Sequence, residues 1–389
     1  MSDTGDFVLL KTSVDGKTRV GELKTRHGAV PTPVFLPVAS QGTVKTLAPV
    51  EISEIGMNMI MANMYHLYLR PGIPVIEKMG GLHKFMGWSG AILTDSGGYQ
   101  VFSLARLRKV SDEGVLFRSH IDGSEHMITP ELAVEYQESL SADIIMVLDE
   151  CAPNDAGFEK VHEAMDRTHR WAERCLKAQS TAGQSLFAIV QGGVFPELRR
   201  QSAEYLAALD FPGYAIGGLS IGEPKVVTFS ILEETAVLLP ETKPRYLMGV
   251  GSPEDILEGV SRGVDIFDSA LPTRVARNGA LFTGLGRVNI RNALFSDMEQ
   301  AVDPDCDCYT CRTFSAAYLH HLFDAQELLA YRLATIHNLT FISQLMRNIR
   351  DAIQTDTFDS FKDSFLSNYK PSDEQVRLEQ KQKWLKRRS

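Results

Sequence analysis

The stretch Ala91-Ile92-Leu93-Thr94-Asp95-Ser96-Gly97-Gly98-Tyr99-Gln100 is a short apolar run that breaks into an aspartate, a glycine pair and polar side chains. Such a run does not alternate and is too short for a core helix. It reads as a strand buried on both faces of a parallel sheet. Seven others share the design: Val34 to Leu36, Met57 to Ala62, Ile144 to Leu148, Leu186 to Val190, Tyr214 to Ile216, Tyr246 to Met248 and Val264 to Phe267. Eight buried strands with helical segments between them predict an α/β fold, a (β/α)8 TIM-type barrel. Thr129-Pro130-Glu131 reads as a capped helix start with proline in the first turn, and Ser252-Pro253-Glu254-Asp255 as a capping box. An open doubly wound sheet would carry a G-x-G-x-x-G turn. Here Gly249-Val250-Gly251-Ser252 runs on into Pro253-Glu254 instead.

The ends of the runs carry the chemistry. The third ends in Thr94 to Gln100, the fourth in Asp149-Glu150-Cys151, the fifth in Gln191-Gly192-Gly193, the sixth in Gly217-Gly218-Leu219-Ser220 and the eighth in Asp268-Ser269. A lone Asp or Gln at a strand end is most simply a turn former or helix cap. Five polar strand ends in one barrel converge on a single mouth, where such barrels build their active sites.

The 389 residues are 44% hydrophobic and 23% charged, which excludes a disordered, fibrous or disulfide-stapled chain. No apolar run reaches the roughly 18 residues of a membrane helix, and Met1 to Asp6 lacks the basic flank of a secretory leader. The expectation is a soluble, cytoplasmic protein without a membrane partner. Net charge is −9, so a nucleic-acid partner would need a local positive surface. Lys370 to Ser389 offers one, with seven cations against three acids and Trp384 among them. Three of the five cysteines fall at Cys306, Cys308 and Cys311, with His337 a further 26 residues on. Three thiolates and an imidazole predict a closed, structural zinc site, one per chain. His320 and His321 are rival fourth ligands, disfavoured because they sit inside the intervening helix. The predicted organisation is a small N-terminal β cap (1–30), the catalytic barrel (31–290), a zinc-binding subdomain closing the barrel (291–355) and a C-terminal segment with the basic tail (356–389).

At Asp95-Ser96-Gly97-Gly98-Tyr99-Gln100-Val101-Phe102, Gln191-Gly192-Gly193, Gly217-Gly218-Leu219-Ser220 and Asp268-Ser269-Ala270-Leu271-Pro272-Thr273-Arg274-Val275-Ala276-Arg277-Asn278-Gly279 the sequence resembles the bacterial tRNA-guanine transglycosylases. The cysteine and histidine pattern resembles that family's zinc subdomain. The resemblance implies exchange of the wobble guanine of tRNAs with a G-U-N anticodon (Asp, Asn, His, Tyr) for 7-aminomethyl-7-deazaguanine in queuosine biosynthesis. It implies Asp268 as nucleophile and Asp95 as general acid and base. It implies a base pocket of Asp149, Gln191, Gly218, Leu219, Ser96 and a sandwich of Tyr99 and Met248, with Thr273, Arg274 and Arg277 reading the anticodon. For Met248 a place in the barrel core is as good a reading. The family's homodimer would use Phe314, Tyr318, His321 and Phe323, which could equally pack within the subdomain.

The chemistry agrees with those roles. Exchanging one base for another with the same stereochemistry takes two inversions, so one carboxylate attacks the anomeric carbon and a second moves the proton. A cation such as Arg274 or Arg277 near Asp268 would keep it ionised. Retaining glycoside hydrolases share the barrel and the carboxylate pair but have no need of a cysteine knuckle or the Arg274-Val275-Ala276-Arg277 segment. A catalytic-zinc hydrolase would keep its ligands at the mouth, whereas these follow the last strand. A non-catalytic RNA-binding scaffold has no use for both Asp95 and Asp268.

Overall fold

The computed structural model describes residues 7–14, 16–104 and 108–371. The chain divides into two compact units, one of Met1–Gly251 with Glu258–Ala270 and the other of Ser252–Leu257 with Leu271–Ser389.

The first unit opens with a three-stranded antiparallel sheet, β1 (Phe7–Thr12), β2 (Arg19–Thr25) and β3 (Gly28–Thr32). It is pinned to the N-terminal ends of barrel strands. Arg19 pairs with buried Asp265 through Nη2, 2.5 Å from Oδ2, and donates further to the Glu241 and Lys243 carbonyls. His27 and Arg26 reach Asp143 and the Ala142 carbonyl.

The barrel strands are β4 (Val34–Pro37), β5 (Met59–Asn63) and β6 (Ala91–Asp95), followed after an insertion by five more. The insertion is a second antiparallel sheet, β7 (Arg108–Val110), β8 (Val115–Arg118) and β9 (Glu125–Ile128). Then come β10 (Ile144–Met146), β11 (Ser185–Val190), β12 (Gly213–Ile216), β13 (Arg245–Leu247) and β14 (Ile266–Ser269). The seven pairings in the order β4-β14-β13-β12-β11-β10-β6-β5 are all parallel. One bridge, Val38 to Met61, joins the two ends and closes the ring. Every residue of β5, β6 and β10 to β14 is buried, as a strand covered by helices on one face and by the packed barrel interior on the other must be. Each of the eight apolar runs lies on or overlaps one of these strands. The Pro130–Ser139 helix starts as expected, with Thr129 Oγ1 accepting from the Leu132 N–H at 3.3 Å.

In the second unit a hairpin, β15 (Ala280–Thr283) and β16 (Gly286–Asn289), packs with the 27-residue Leu328–Gln354 helix. Asn338 of that helix caps the hairpin, its side chain binding Phe282 N–H, Ala280 C=O and Pro272 C=O. Phe323, Leu333 and Leu281 form the middle of its core and are fully buried. Residues 372–389, most of the basic tail, lie outside the described residues.

Candidate active site and metal centre

Two aspartates terminate non-adjacent barrel strands on the same end of the ring. Asp95 closes β6 and is buried against three donors: Asn63 Nδ2 (2.5 Å) and Gln100 Nε2 (2.6 Å) on Oδ2, and Met64 N–H (3.0 Å) on Oδ1. Burial pushes its carboxyl up to about 7, the Asp268 charge adds to this, and the three donors resist it. Asp268 lies in β14, where Oδ1 accepts from the Tyr246 hydroxyl (2.6 Å) and the Gly249 N–H (2.8 Å). Among the described residues Oδ2 takes no hydrogen bond, so one oxygen is held and the other keeps its lone pairs. Burial raises Asp268 as well, while Tyr246 and Gly249 draw it back toward the ionised form.

Asp149, just after β10, accepts from Gln191 Nε2 at 2.7 Å. Burial lifts it to about 6, with the Glu150 charge adding. The glycine pairs make room for this couple. A Cβ on Gly98 would fall 2.7 Å from both the carbonyl oxygen and Oδ1 of Asp149. Gly218 has φ +65°, and its Cβ would fall 2.5 Å from Gln191 Oε1. Gln191 thus uses one of its two amide hydrogens on Asp149, and its own N–H is anchored by Ser202 Oγ at 3.2 Å.

The turn after β12 is organised by a buried carboxylate. Glu223 accepts from the N–H groups of Ser220, Ile221 and Gly222 and from Thr228 Oγ1. Burial would raise this acid, but Thr228 and the backbone donors outweigh it and hold it below its usual value. Because the C=O and N–H of one peptide point in opposite directions, tying the Ser220 N–H to Glu223 turns the Leu219 carbonyl the other way. Cys151 is buried, and burial together with the Asp149 charge pushes its thiol up to about 12, so it stays a neutral small group. Ser96 is buried, Tyr99 is 52% exposed and Met248 is partly buried.

Of the residues anticipated from sequence, Asp95, Ser96, Tyr99, Asp149, Gln191, Gly218, Leu219, Met248 and Asp268 all belong to the barrel unit. Thr273, Arg274 and Arg277 lie on the Leu271–Arg277 helix of the second unit. There Thr273 is buried, Arg274 exposed, and Arg277 donates to the Thr273 carbonyl at 2.8 Å. The groups that favour an ionised Asp268 are Tyr246 and Gly249. Sequence reading missed Asn63, Tyr246 and Gly249. The signal was present, since Asn63 and Gly249 follow the second and seventh apolar runs as Asp95 follows the third.

In the second unit the ligand atoms of Cys306, Cys308, Cys311 and His337 lie within 4.8 Å of one another. His337 Nδ1 is 3.6 Å from Cys308 Sγ and 3.3 Å from Cys311 Sγ. Tetrahedral zinc with thiolate and imidazole ligands places such atoms about 3.5 Å apart, so the set fits a metal ion of that kind. His337 Nε2 is 2.6 Å from the Phe282 carbonyl, which fixes the ring with Nδ1 toward the sulfurs, an outer contact typical of metal-bound histidines. His337 sits inside the long Leu328–Gln354 helix. His320 is engaged elsewhere, 2.7 Å from the Ile290 carbonyl.

A family model described as queuine tRNA-ribosyltransferase matches residues 15–371. The chain belongs to this family. A queuine tRNA-ribosyltransferase of Dehalococcoides mccartyi is 65% identical over 379 residues, covering 97% of each chain. Relatives of the same name from Thermoanaerobacter sp. and Herpetosiphon aurantiacus are each 55% identical, over 93% of this chain and 97% and 93% of theirs. Members of the queuine tRNA-ribosyltransferase family are tRNA-guanine transglycosylases, so the chain is an enzyme of that class. No helix of the described residues is long and apolar enough to cross a membrane.

Proposed function

We propose that the protein exchanges the wobble guanine of G-U-N tRNAs (Asp, Asn, His, Tyr) for 7-aminomethyl-7-deazaguanine through a covalent ribosyl-aspartate. The observation that carries this reading is the pairing of a half-held Asp268 with an Asp95 raised to about 7. Asp268 attacks the ribose C1′ as the C1′–N9 bond breaks, and the departing guanine takes the Asp95 proton. The incoming base then returns its N9 proton to Asp95, its N9 attacks C1′, and the ester bond to Asp268 breaks. Asp149 accepts from the ring N–H and amine of the base. Gly218 N–H and the remaining Gln191 hydrogen face the ring carbonyl, where charge develops as guanine leaves. Tyr99 and Met248 stack on the base, Ser96 lines the pocket, and Thr273, Arg274 and Arg277 contact the anticodon. Guanine exchange into transcripts with and without a G-U-N anticodon tests the assignment. Equal exchange into both would refute it.

The raised Asp95 fixes a pH dependence. Adduct formation needs Asp95 protonated, so its single-turnover rate should fall by about tenfold per pH unit above about 7. Asp95→Asn should remove that alkaline limb together with most of the rate. A flat profile between about pH 6 and 9 would show that Asp95 does not carry the proton.

The incoming base is set by the turn after β12. The Leu219 carbonyl, oriented through Glu223, suits a cationic aminomethyl arm. Ile221 crowds the space that queuine's cyclopentenediol would need; eukaryotic members resemble this site but have Val and Gly where this chain has Cys151 and Ile221. Incorporation of queuine in competition with 7-aminomethyl-7-deazaguanine should be minor, and Ile221→Gly should raise it. Equal use of both bases by the unaltered protein would overturn this.

The metal is zinc, structural, one per chain, since four protein ligands leave no vacant position. The chain forms a homodimer through Phe314, Tyr318 and His321. Phe314 and Tyr318 stack at 5.3 Å, and Tyr318 and His321 are exposed. Phe323 is fully buried and belongs to the core of its own unit. Its place of action is the cytoplasm.

A further inference from the structure

Arg199, on the Pro196–Ala208 helix, is 1% exposed and has no carboxylate among its hydrogen-bond partners. Its guanidinium is held by three backbone carbonyls, Nε on Gly193 (2.8 Å) and Nη1 on Val190 (3.0 Å) and Gly217 (2.8 Å). Those carbonyls belong to β11, to the turn after it and to the turn after β12, so one cation ties together the loops that carry Gln191 and Gly218. Nη2 has no hydrogen-bond partner and lies 3.6 Å from where a Cβ on Gly218 would stand. Burial draws the guanidinium down to about 10, which leaves it charged at neutral pH.

The contact with Gly217 has a directional consequence. Its carbonyl and the Gly218 N–H belong to one trans peptide and point in opposite directions. A carbonyl fixed on Arg199 therefore fixes the Gly218 N–H pointing away from it. A charge-assisted hydrogen bond on the carbonyl also polarises the same peptide, making its N–H a stronger donor. The geometry points to Arg199 as a positioning residue that aims and strengthens the Gly218 N–H toward the six-position carbonyl of the purine. This rests on the base pocket proposed above, and the residue itself does not touch the base.

A role confined to folding would weaken all substrates alike, whereas this one is specific to the ring carbonyl. The test compares guanine with 6-thioguanine, which keeps the ring N–H and amine but presents a weaker acceptor. In Arg199→Gln the preference in kcat/KM for guanine over 6-thioguanine should shrink by roughly tenfold, a part of the 10²–10³ that one such donor is worth. Arg199→Lys, which keeps the charge without the rigid fork, should fall between that and the unaltered protein. Thermal melting identifies which variants fold. A preference within about twofold of the unaltered protein, in whichever variant folds, overturns the proposal, as does an equal loss for both bases. Failure of either base to compete in the unaltered protein would instead refute the base pocket.

Discussion

Asp268→Asn should abolish base exchange while leaving tRNA affinity within about threefold, because the change replaces the attacking oxygen and little else. The loss should reach the roughly 10⁴–10⁶-fold that removal of a covalent nucleophile costs. The variant is close to isosteric, and the groups that grip the residue, Tyr246 O–H and Gly249 N–H, both donate to Oδ1. An asparagine can keep its carbonyl oxygen there and point its amide nitrogen along the direction of Oδ2. Stability should therefore change little, which separates a chemical effect from unfolding. The readout is a protein–RNA adduct resistant to denaturant, mapped to its attachment residue. An adduct surviving in Asp268→Asn would move the nucleophile elsewhere. Tyr246→Phe provides the intermediate case: Asp268 stays, one of its two hydrogen bonds goes, and its proton affinity rises.

The other large effect is expected from Cys308→Ala. Cys308 is buried, its sulfur caps the short Tyr309–Thr313 helix by accepting from the Cys311 N–H at 3.3 Å, and it stands 3.6 Å from His337 Nδ1. Removing it takes away a metal ligand and the helix cap at once. Structural zinc contributes on the order of 10 kcal/mol in small metal-dependent folds, so loss of metal should unfold the residues around 303–313 and loosen the long helix at His337. Hydrogen exchange should show this in the second unit, with the strands of the barrel still protected. Metal content should fall below about one atom per two chains, and exchange activity should fall with it. A metal-free variant that melts as the unaltered protein does, yet has lost only the chemistry, would mean that the metal takes part in the reaction.

How much of this was legible in the sequence depends on what each residue reports. Buried parallel strands are apolar on both faces, so the runs at Leu186 to Val190 and Ile144 to Leu148 stand out without alternation. The inserted sheet does not. In Val115–Arg118 burial alternates along four residues, and Arg108 and Lys109 of its partner are exposed, too short and too polar to signal a strand. The third strand of the N-terminal β cap, Gly28–Thr32, contains Pro31, a residue that argues against a strand. The structure admits that proline because β3 is the edge of its sheet and needs no further donor. Asp95 and Asp268 were visible as polar breaks at strand ends, whereas Tyr246 was read only as an apolar member of its run. A tyrosine's ring satisfies the hydrophobic pattern, and nothing in the pattern tells where its hydroxyl goes. Arg199 was hidden for the opposite reason, since an arginine in the first turns of a helix ordinarily faces water.

The ring of strands is a cask with two thin joints, β4 to β5 and β6 to β10, each held by a single residue pair. Four residue pairs join β4 to β14 and five join β5 to β6, whereas β4 and β5 meet through one bridge and the Ala39 N–H on the Met61 carbonyl. Amide protons near Ala39, at the β4–β5 joint, should therefore leave before those inside the β4–β14 and β5–β6 seams. Two residues beyond Met61 is Asn63, whose amide favours the charged form of Asp95. Asn63 and Asp95 are themselves register partners across the five-pair β5–β6 seam, so opening at Ala39 leaves the Asn63 amide on the acid and the acid's proton affinity where it was.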